Sequence, residues 1–525
     1  MATKKSKTIT NTYTRGEMAG YMIGMFGQNL IYQIVTTGLY FYFQNVICLP
    51  AMALGWIFTT ARVWDAVNDP IMGNFVDRTR TRWGKCRPYL IFGPPVIMVI
   101  TILAFFNSNY ADATTAGGKV AIITWAAVSY ILWGMCYTVC DIPLWGITSV
   151  MTENEADRAK ALSLARIAAG FGAVGVLVVQ VSQAVGSTFE AQGFSHSEAQ
   201  RRGFIATAIV MTVISTILFE FAGICTRERV EGSKEHYTIK ENFQIMWKNR
   251  PFRQILISGI LRSPMQLLLI NAMTVVTYYY CNGDIMNVIG KNGVDMGILL
   301  NLILVAGMMF VGEFLAMGIT PKLMTKFEKK SLYNFFTLIG AIPYAGMFLL
   351  YLISGGNVKP LLWGVPFSIC IFLAGAAMGA INVLQSVMIA DCVDYEEYTN
   401  GVRTDGVFFS GQSFITKLSS GIAALISSAV FGYVGYSGAN IDKLNNALHA
   451  GADFLTYDGG TGAGKYAAAM MFIISIPPAI GMALAAIPTW KYALPDAEHT
   501  RMLDELVERR AEAKAVEEAA EIVAE

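Results

Sequence analysis

An all-α protein that crosses a membrane about twelve times is the fold class the sequence predicts, and three observations predict it. Of the 525 residues 54% are hydrophobic and only 15% are charged, with a mean hydropathy of +0.46. A soluble chain of this length carries about 25% charged residues. The apolar residues also gather into runs of the ~20 residues that a spanning helix needs, broken by short polar stretches. Finally, basic residues crowd into every second break, the bias that orients membrane helices.

Taken in order, spans are expected near 18–46, 52–75, 88–107, 120–150, 161–187 and 203–225, then near 254–281, 294–318, 331–354, 361–390, 405–436 and 466–490. The break after the second span holds Arg78, Arg80, Arg82, Lys85 and Arg87. The break after the sixth holds Arg227, Arg229, Lys234, Lys240, Lys248, Arg250 and Arg253, and Lys322, Lys326, Lys329 and Lys330 follow the eighth. By contrast, 44–51 has no charge and 107–119 has only Asp112 and Lys119. This places the even-numbered breaks and both termini on the cytoplasmic side. The expected organisation is a cytoplasmic N-terminus 1–17, a six-helix bundle 18–225, a cytoplasmic linker 226–253, a second six-helix bundle 254–490 and a charged cytoplasmic tail 491–525, an amphipathic helix or a frayed end.

Several function classes find little support. The net charge of +1 suggests no nucleic-acid partner. The eight cysteines are scattered through apolar runs without zinc spacing and read as small packing residues. Four histidines supply a metal or triad enzyme poorly, so no enzyme activity and no cofactor beyond a coupling ion are expected. The polar, lysine-bearing N-terminus does not read as a cleaved signal.

The chemistry lies in the polar residues inside the spans. Asp65, Asn68 and Asp69 in span two are spaced i, i+3, i+4 and share one helix face. Carboxylates at bilayer depth are costly unless neutralised. Either Arg62 pairs with them for packing alone, or their hard oxygens hold sodium, lithium or a proton. In span four Tyr137, Asp141 and Trp145 form an i, i+4, i+8 stripe, and Thr138 faces a neighbouring side. A carboxylate near an indole suits a sugar, which takes charge-assisted bonds at its hydroxyls and a ring against its C–H face. Pro143 is expected to loosen this helix. Arg166 in span five and Lys417 in span eleven, with Gln412 and Ser413 before it, are cations that need partners at depth. The acids ending span ten, among them Asp391 and Asp394, read as a cytoplasmic gate or as a solvated turn.

Three stretches carry a resemblance: Arg62–Pro88, Tyr130–Trp145, and Val383–Tyr398 with Lys417 after it. Together they resemble the glycoside–pentoside–hexuronide:cation symporters of the major facilitator superfamily, over most of the chain from Gly20 to about Lys417. The resemblance implies two six-helix bundles around a central cavity that rock to alternate access. It implies a sodium site at Asp65, Asn68, Asp69 and Thr138, and sugar contacts from Tyr137, Asp141, Trp145, Arg166 and Lys417 with Gln412 and Ser413 alongside. The segment Gly73–Arg87, including Asp77 and Arg78, takes the place of the cytoplasmic hinge and gate.

Two positions depart from the family's melibiose-transporting members. A lysine–aspartate pair of span one reads Gln28-Asn29 here, and a tryptophan of span ten falls on Asn382. Losing a carboxylate while keeping Arg166 and Lys417 also suits a substrate that bears one, such as a glucuronide. The expectation is therefore a cation-coupled symporter of a sugar or glycoside in a bacterial cytoplasmic membrane, with a glucuronide or hexuronide carrier as the alternative. A lysolipid carrier would need a wide apolar cleft, against which Tyr137, Asp141 and Trp145 argue. A drug–proton antiporter would show a glycine–proline signature that Arg166 to Val179 lacks, and no appended domain supports a sensor. The sequence assigns no oligomeric state and no particular sugar or cation.

Overall fold

The computed structural model describes residues 13–152, 155–172, 175, 177–229, 239–283, 289–290, 293–294, 296–401, 405–460, 462–506 and 508. Helices dominate, and every expected span finds one. Span one is α1 (Arg15–Gln33), continued by π-helical turns Ile34–Leu39 and Tyr42–Val46. Next come α2 (Ala51–Arg78), α3 (Arg87–Phe105) and α4 (Ala116–Met151). Span five is split into α5 (Glu155–Gly172) and α6 (Val178–Glu190), and α7 (His196–Cys225) contains span six.

In the second half the short α8 (Ile239–Lys248) precedes α9 (Arg250–Leu261) and α10 (Leu267–Thr274), which bend by 48° at their break and end in the π-helical turn Val275–Tyr280. A two-residue hairpin, Ile289–Gly290 with Gly293–Val294, follows. Then come α11 (Met296–Leu302), α12 (Met308–Met324), α13 (Lys329–Ile353), α14 (Leu361–Asn400) and α15 (Asp405–Val434). The short α16 (Ala439–His449) and α17 (Lys465–Thr489) complete the spans.

Local chemistry sets the helix ends. Thr14 and Glu17 form a reciprocal capping box at the start of α1: the Glu17 N–H donates to Thr14 Oγ1 (3.3 Å) and the Thr14 N–H to Glu17 Oε2 (2.6 Å). At α3 the Glu228 carboxylate accepts the backbone N–H groups of Lys85 (2.8 Å), Cys86 (2.8 Å) and Arg87 (3.0 Å). An anion at a helix N-terminus satisfies donors that would otherwise be orphaned. Gly401, at φ +73°, ends α14 with its N–H on the Glu397 carbonyl (2.9 Å). Pro143 does not interrupt α4, which stays helical through all 36 residues.

Among the described residues, eight helices are long and apolar enough to cross a membrane, or nine if the bent α9–α10 pair counts as one. The expected spans that fall short are one, two and five. Span one carries Gln28, Asn29 and Gln33, span two carries Arg62, Asp65 and Asp69, and span five is described as two shorter helices, α5 and α6. Polar content and helix breaks, the features that disqualify a span by composition, coincide with the residues singled out above.

The helices pack into two compact units that interleave along the chain. Unit one comprises Met1–His236, Ile270–Met296 and Ala424–Ala469, and unit two comprises Tyr237–Leu269, Gly297–Ala423 and Met470–Glu525. Within unit one, α1 lies close against α7 because small residues line the seam. A Cβ on Gly24 would sit 2.4 Å from the Ala222 Cβ, and one on Gly27 would sit 2.6 Å from the Phe219 nitrogen. Within unit two, α12 and α14 meet in the same way at Gly312 and Gly375, where an added Cβ would lie 2.1 Å from the Phe372 oxygen and 2.2 Å from the Met309 oxygen. Phe75, Phe171, Phe314, Ile342 and Leu362 lie exposed on helix flanks, an apolar surface that suits lipid.

The tail is ordered further than a frayed end. Residues 496–506 are helical and bury His499, Met502 and Leu506 in unit two.

Candidate transport site

Unit one holds the candidate site residues of the first half, and α4 presents them on two faces. Towards α1, Asp141 Oδ1 accepts a hydrogen bond from Gln28 Nε2 (2.8 Å), and the same nitrogen contacts the Tyr137 hydroxyl. Asn29 Nδ2 donates to Gln28 Oε1 (2.6 Å), so Asn29 reaches Asp141 only through Gln28. Gln28 is buried, and the tight α1–α7 seam one residue before it fixes where it points. Trp145 lies one turn beyond Asp141 and is half-buried.

An aromatic ladder backs this polar knot. The Trp133 and Tyr137 rings stack at 4.8 Å, Tyr32 lies 5.4 Å from Tyr137, and the ladder continues through Tyr130 to Phe58 at 4.2 Å. Trp133 Nε1 and the Tyr130 hydroxyl are buried without a hydrogen-bond partner among the described residues. Buried donors left unpaired cost about 1–3 kcal/mol each, so they draw attention wherever they gather.

Towards α2, Thr138 Oγ1 donates to Asp69 Oδ1 (3.2 Å). Asp65 Oδ2 pairs with Arg62 Nη1 at 3.3 Å, and both side chains are buried. The internal pairing weighed from the sequence therefore forms at Asp65, while Asp69 takes a hydroxyl. Asn68 is buried too, and its Nδ2 has no partner among the described residues. Gly134 makes room for the acid: a Cβ there would lie 2.6 Å from Asp65 Oδ1. Two helix turns of α4 thus touch the α2 acids on one side and the α1 amides on the other.

Unit two holds the residues of the second half as a separate cluster. Gln412 Nε2 donates to Ser386 Oγ (2.7 Å), whose hydroxyl donates to the Asn382 carbonyl (3.0 Å). One turn along α14, Gln385 Oε1 accepts from the buried Arg262 Nη2 (2.5 Å). Ser413 and Lys417 are half-buried on α15. The acids at the end of α14 are engaged within this unit: Asp391 bonds Lys329 Nζ and lies 3.7 Å from His499, which approaches Asp394 at 3.2 Å. The side chains of Asp77, Arg78 and Arg166 lie outside the described residues.

Sequence reasoning missed several participants. Gln28 reads as an ordinary departure from a family pair until its two bonds are seen. Trp133 lies i−4 from Tyr137 on the same stripe, a signal that was available. Gly134, Gln385, Ser386 and Arg262 gave none, because each matters through a neighbour from another helix.

The sequence profile of the MFS/sugar transport proteins matches residues 20–496. The inner membrane symporter YicJ of Escherichia coli (strain K12) is 26% identical, covering 82% of this chain and 85% of its own length. The isoprimeverose transporter of Lactiplantibacillus pentosus is 28% identical, with 86% of each chain covered. The glucuronide carrier protein homolog of Escherichia coli (strain K12) is 25% identical over 80% of this chain and 84% of its own. Among solved structures, the nucleoside transporter NupG superposes with a TM-score of 0.53 at 13% identity, covering 91% of this chain and 99% of that one, a likeness of fold alone. With the family profile spanning nearly the whole described chain, this multi-pass membrane protein belongs to the MFS/sugar transport family of the major facilitator superfamily, the glycoside–pentoside–hexuronide:cation symporters.

Proposed function

We propose that the chain is a secondary symporter that couples a monovalent cation to uptake of a sugar or glycoside by alternating access. One observation carries the reading: on α4, Thr138 bonds the α2 acid Asp69 while Asp141, three residues on, bonds the α1 amide Gln28. Asp65, Asn68 and Asp69 are the ion ligands, with sodium the first candidate and lithium or a proton the others. Asp141, Tyr137, Gln28, Asn29 and Trp145 contact the sugar from the first half; Arg166, Asn382, Gln412, Ser413 and Lys417 are its further contacts. Trp133 and Tyr130 add buried donors without a hydrogen-bond partner among the described residues.

Coupling follows from linkage. If the ion at Asp65 and Asp69 changes sugar affinity, the sugar changes ion affinity by the same factor, typically by about 1–3 kcal/mol. The helix shared by both contacts is a short route for that exchange. Asp77 and Arg78, with Asp391 and Asp394, serve as the cytoplasmic gate. The ion is cargo, and no other cofactor is part of the reading. Uptake of a glycoside panel into membrane vesicles, with and without an imposed sodium gradient, tests it. Sodium-driven accumulation of at least one glycoside is expected; equal uptake with and without sodium, lithium or proton gradients would refute coupling.

A second reading concerns the cargo. Asn29 stands where melibiose-transporting members of the family present an aspartate, while Arg166 and Lys417 are kept, and one curated relative is a glucuronide carrier homolog. Both favour a substrate with its own carboxylate. A glucuronide should then be taken up faster than its matching neutral glycoside, and the reverse ranking sinks this version.

A further inference from the structure

On the face opposite the basic loops, α6 ends at Glu190, α7 begins at His196 and α16 ends at His449. All three belong to unit one. Glu190 Oε1 lies 2.8 Å from His449 Nε2 and 3.3 Å from His196 Nδ1, and the two imidazoles stack with centroids 4.5 Å apart at 24°. Two of the four histidines in the chain therefore meet on one carboxylate, from segments more than two hundred residues apart. One ligand atom from each residue lies within 4.8 Å of the others.

We propose that Glu190, His196 and His449 bind a divalent ion of the zinc class, which clamps the end of α16 to the α6–α7 turn. Two imidazoles and a carboxylate are a donor set that zinc favours, and three protein ligands leave one position for water. Zinc holds nitrogen and oxygen ligands at about 2.0–2.2 Å, which sets them roughly 3.3–3.5 Å from one another in a tetrahedral arrangement. The closest pair here must open slightly and the widest must close by roughly 1.3 Å. That adjustment is accessible because the His449 side chain is half exposed at a helix end, while the short turn fixes the other two.

The ion brings together a turn from the first half of the chain and a helix from the second.

The test does not depend on knowing the sugar. Zinc chloride is titrated into the purified full-length protein by calorimetry, beside His449→Gln, His196→Gln and Glu190→Gln. Hydrogen exchange of α16 is followed with and without zinc. One zinc per chain is expected, with affinity about tenfold or more weaker in each variant, and slowed exchange in 439–449 in the parent but not in His449→Gln. His449→Gln changes an exposed side chain, so its folding is not at risk. No binding by the parent, equal binding by the variants, or unchanged exchange in α16 would each overturn the proposal.

Discussion

Gly134→Ala probes the ion site without touching a charged residue. The new methyl would lie 2.6 Å from Asp65 Oδ1, and ordinary contact begins near 3.4 Å, so the carboxylate must retreat by about 0.8 Å. That retreat moves an oxygen of a proposed ion ligand out of its place beside α4. A charge-assisted contact is worth about 1.5–3 kcal/mol, and 1.4 kcal/mol is tenfold in an equilibrium constant. Losing one such contact to the ion should raise the cation concentration giving half-maximal uptake about ten- to hundredfold. Alanine is the better helix former, so the variant should fold. Gly117→Ala on the same helix, where nothing lies within 4 Å, is the control and should behave as the parent. The assay is sugar uptake into vesicles against sodium concentration. A folded Gly134→Ala protein with the parent's sodium dependence would remove Asp65 from the ion site.

Asp69→Cys should abolish cation-stimulated uptake while sugar binding survives in part, and full sodium-dependent accumulation would exclude Asp69 as a ligand. Gln28→Ala should weaken sugar binding by about tenfold, since it removes the donor to both Asp141 and Tyr137; unchanged binding by calorimetry would show that the knot only packs. In unit two, Asn249→Ala removes an N-cap to the Phe252 N–H (3.0 Å) and bonds to Cys392 (3.1 Å) and Glu396 (3.0 Å), and should cost about 2 kcal/mol, read as a lower Tm. Glu198 lies in the polar first turn of α7, ahead of the apolar run 203–225, and the Arg201 guanidinium, against partial burial and with help from Arg202, holds it down at about 2. A folded pKa below that of a free carboxylate stabilises the fold above pH ~4.3, and the gain fades as pH falls towards the folded value. Glu198→Gln should therefore be less stable than the parent near neutral pH, with the gap closing in acid; a gap that widens in acid would refute the assignment.

Much of this was legible in the sequence because hydrophobic runs and basic breaks act over a single helix. Expected spans such as 52–75 in α2 and 466–490 in α17 fall on helix within a few residues. The spacing of Asp65, Asn68 and Asp69 likewise needs only one helix to be read. What was not legible depends on two helices at once. That Asp65 takes Arg62 while Asp69 takes Thr138, or that Gln28 stands between Asn29 and Asp141, follows from how α1, α2 and α4 seat together. The π-helical turns after Gln33 and Thr274 had no sequence signal, since any apolar run accommodates them.

The Glu228 carboxylate at the head of α3 also decides where the first half of the protein really stops. Composition would cut the chain after Cys225, where the apolar run ends. Yet Glu228 closes the N-terminus of α3, the Arg229 N–H donates to the Val150 carbonyl (2.7 Å), and its guanidinium grips Glu17 at 2.8 Å. Four polar residues that look like the start of a tether are a strap stitching together the adjoining ends of α1, α3 and α4. A fragment meant to stand alone should keep them; one trimmed at Cys225 would fray at α3 first, however intact its apolar core.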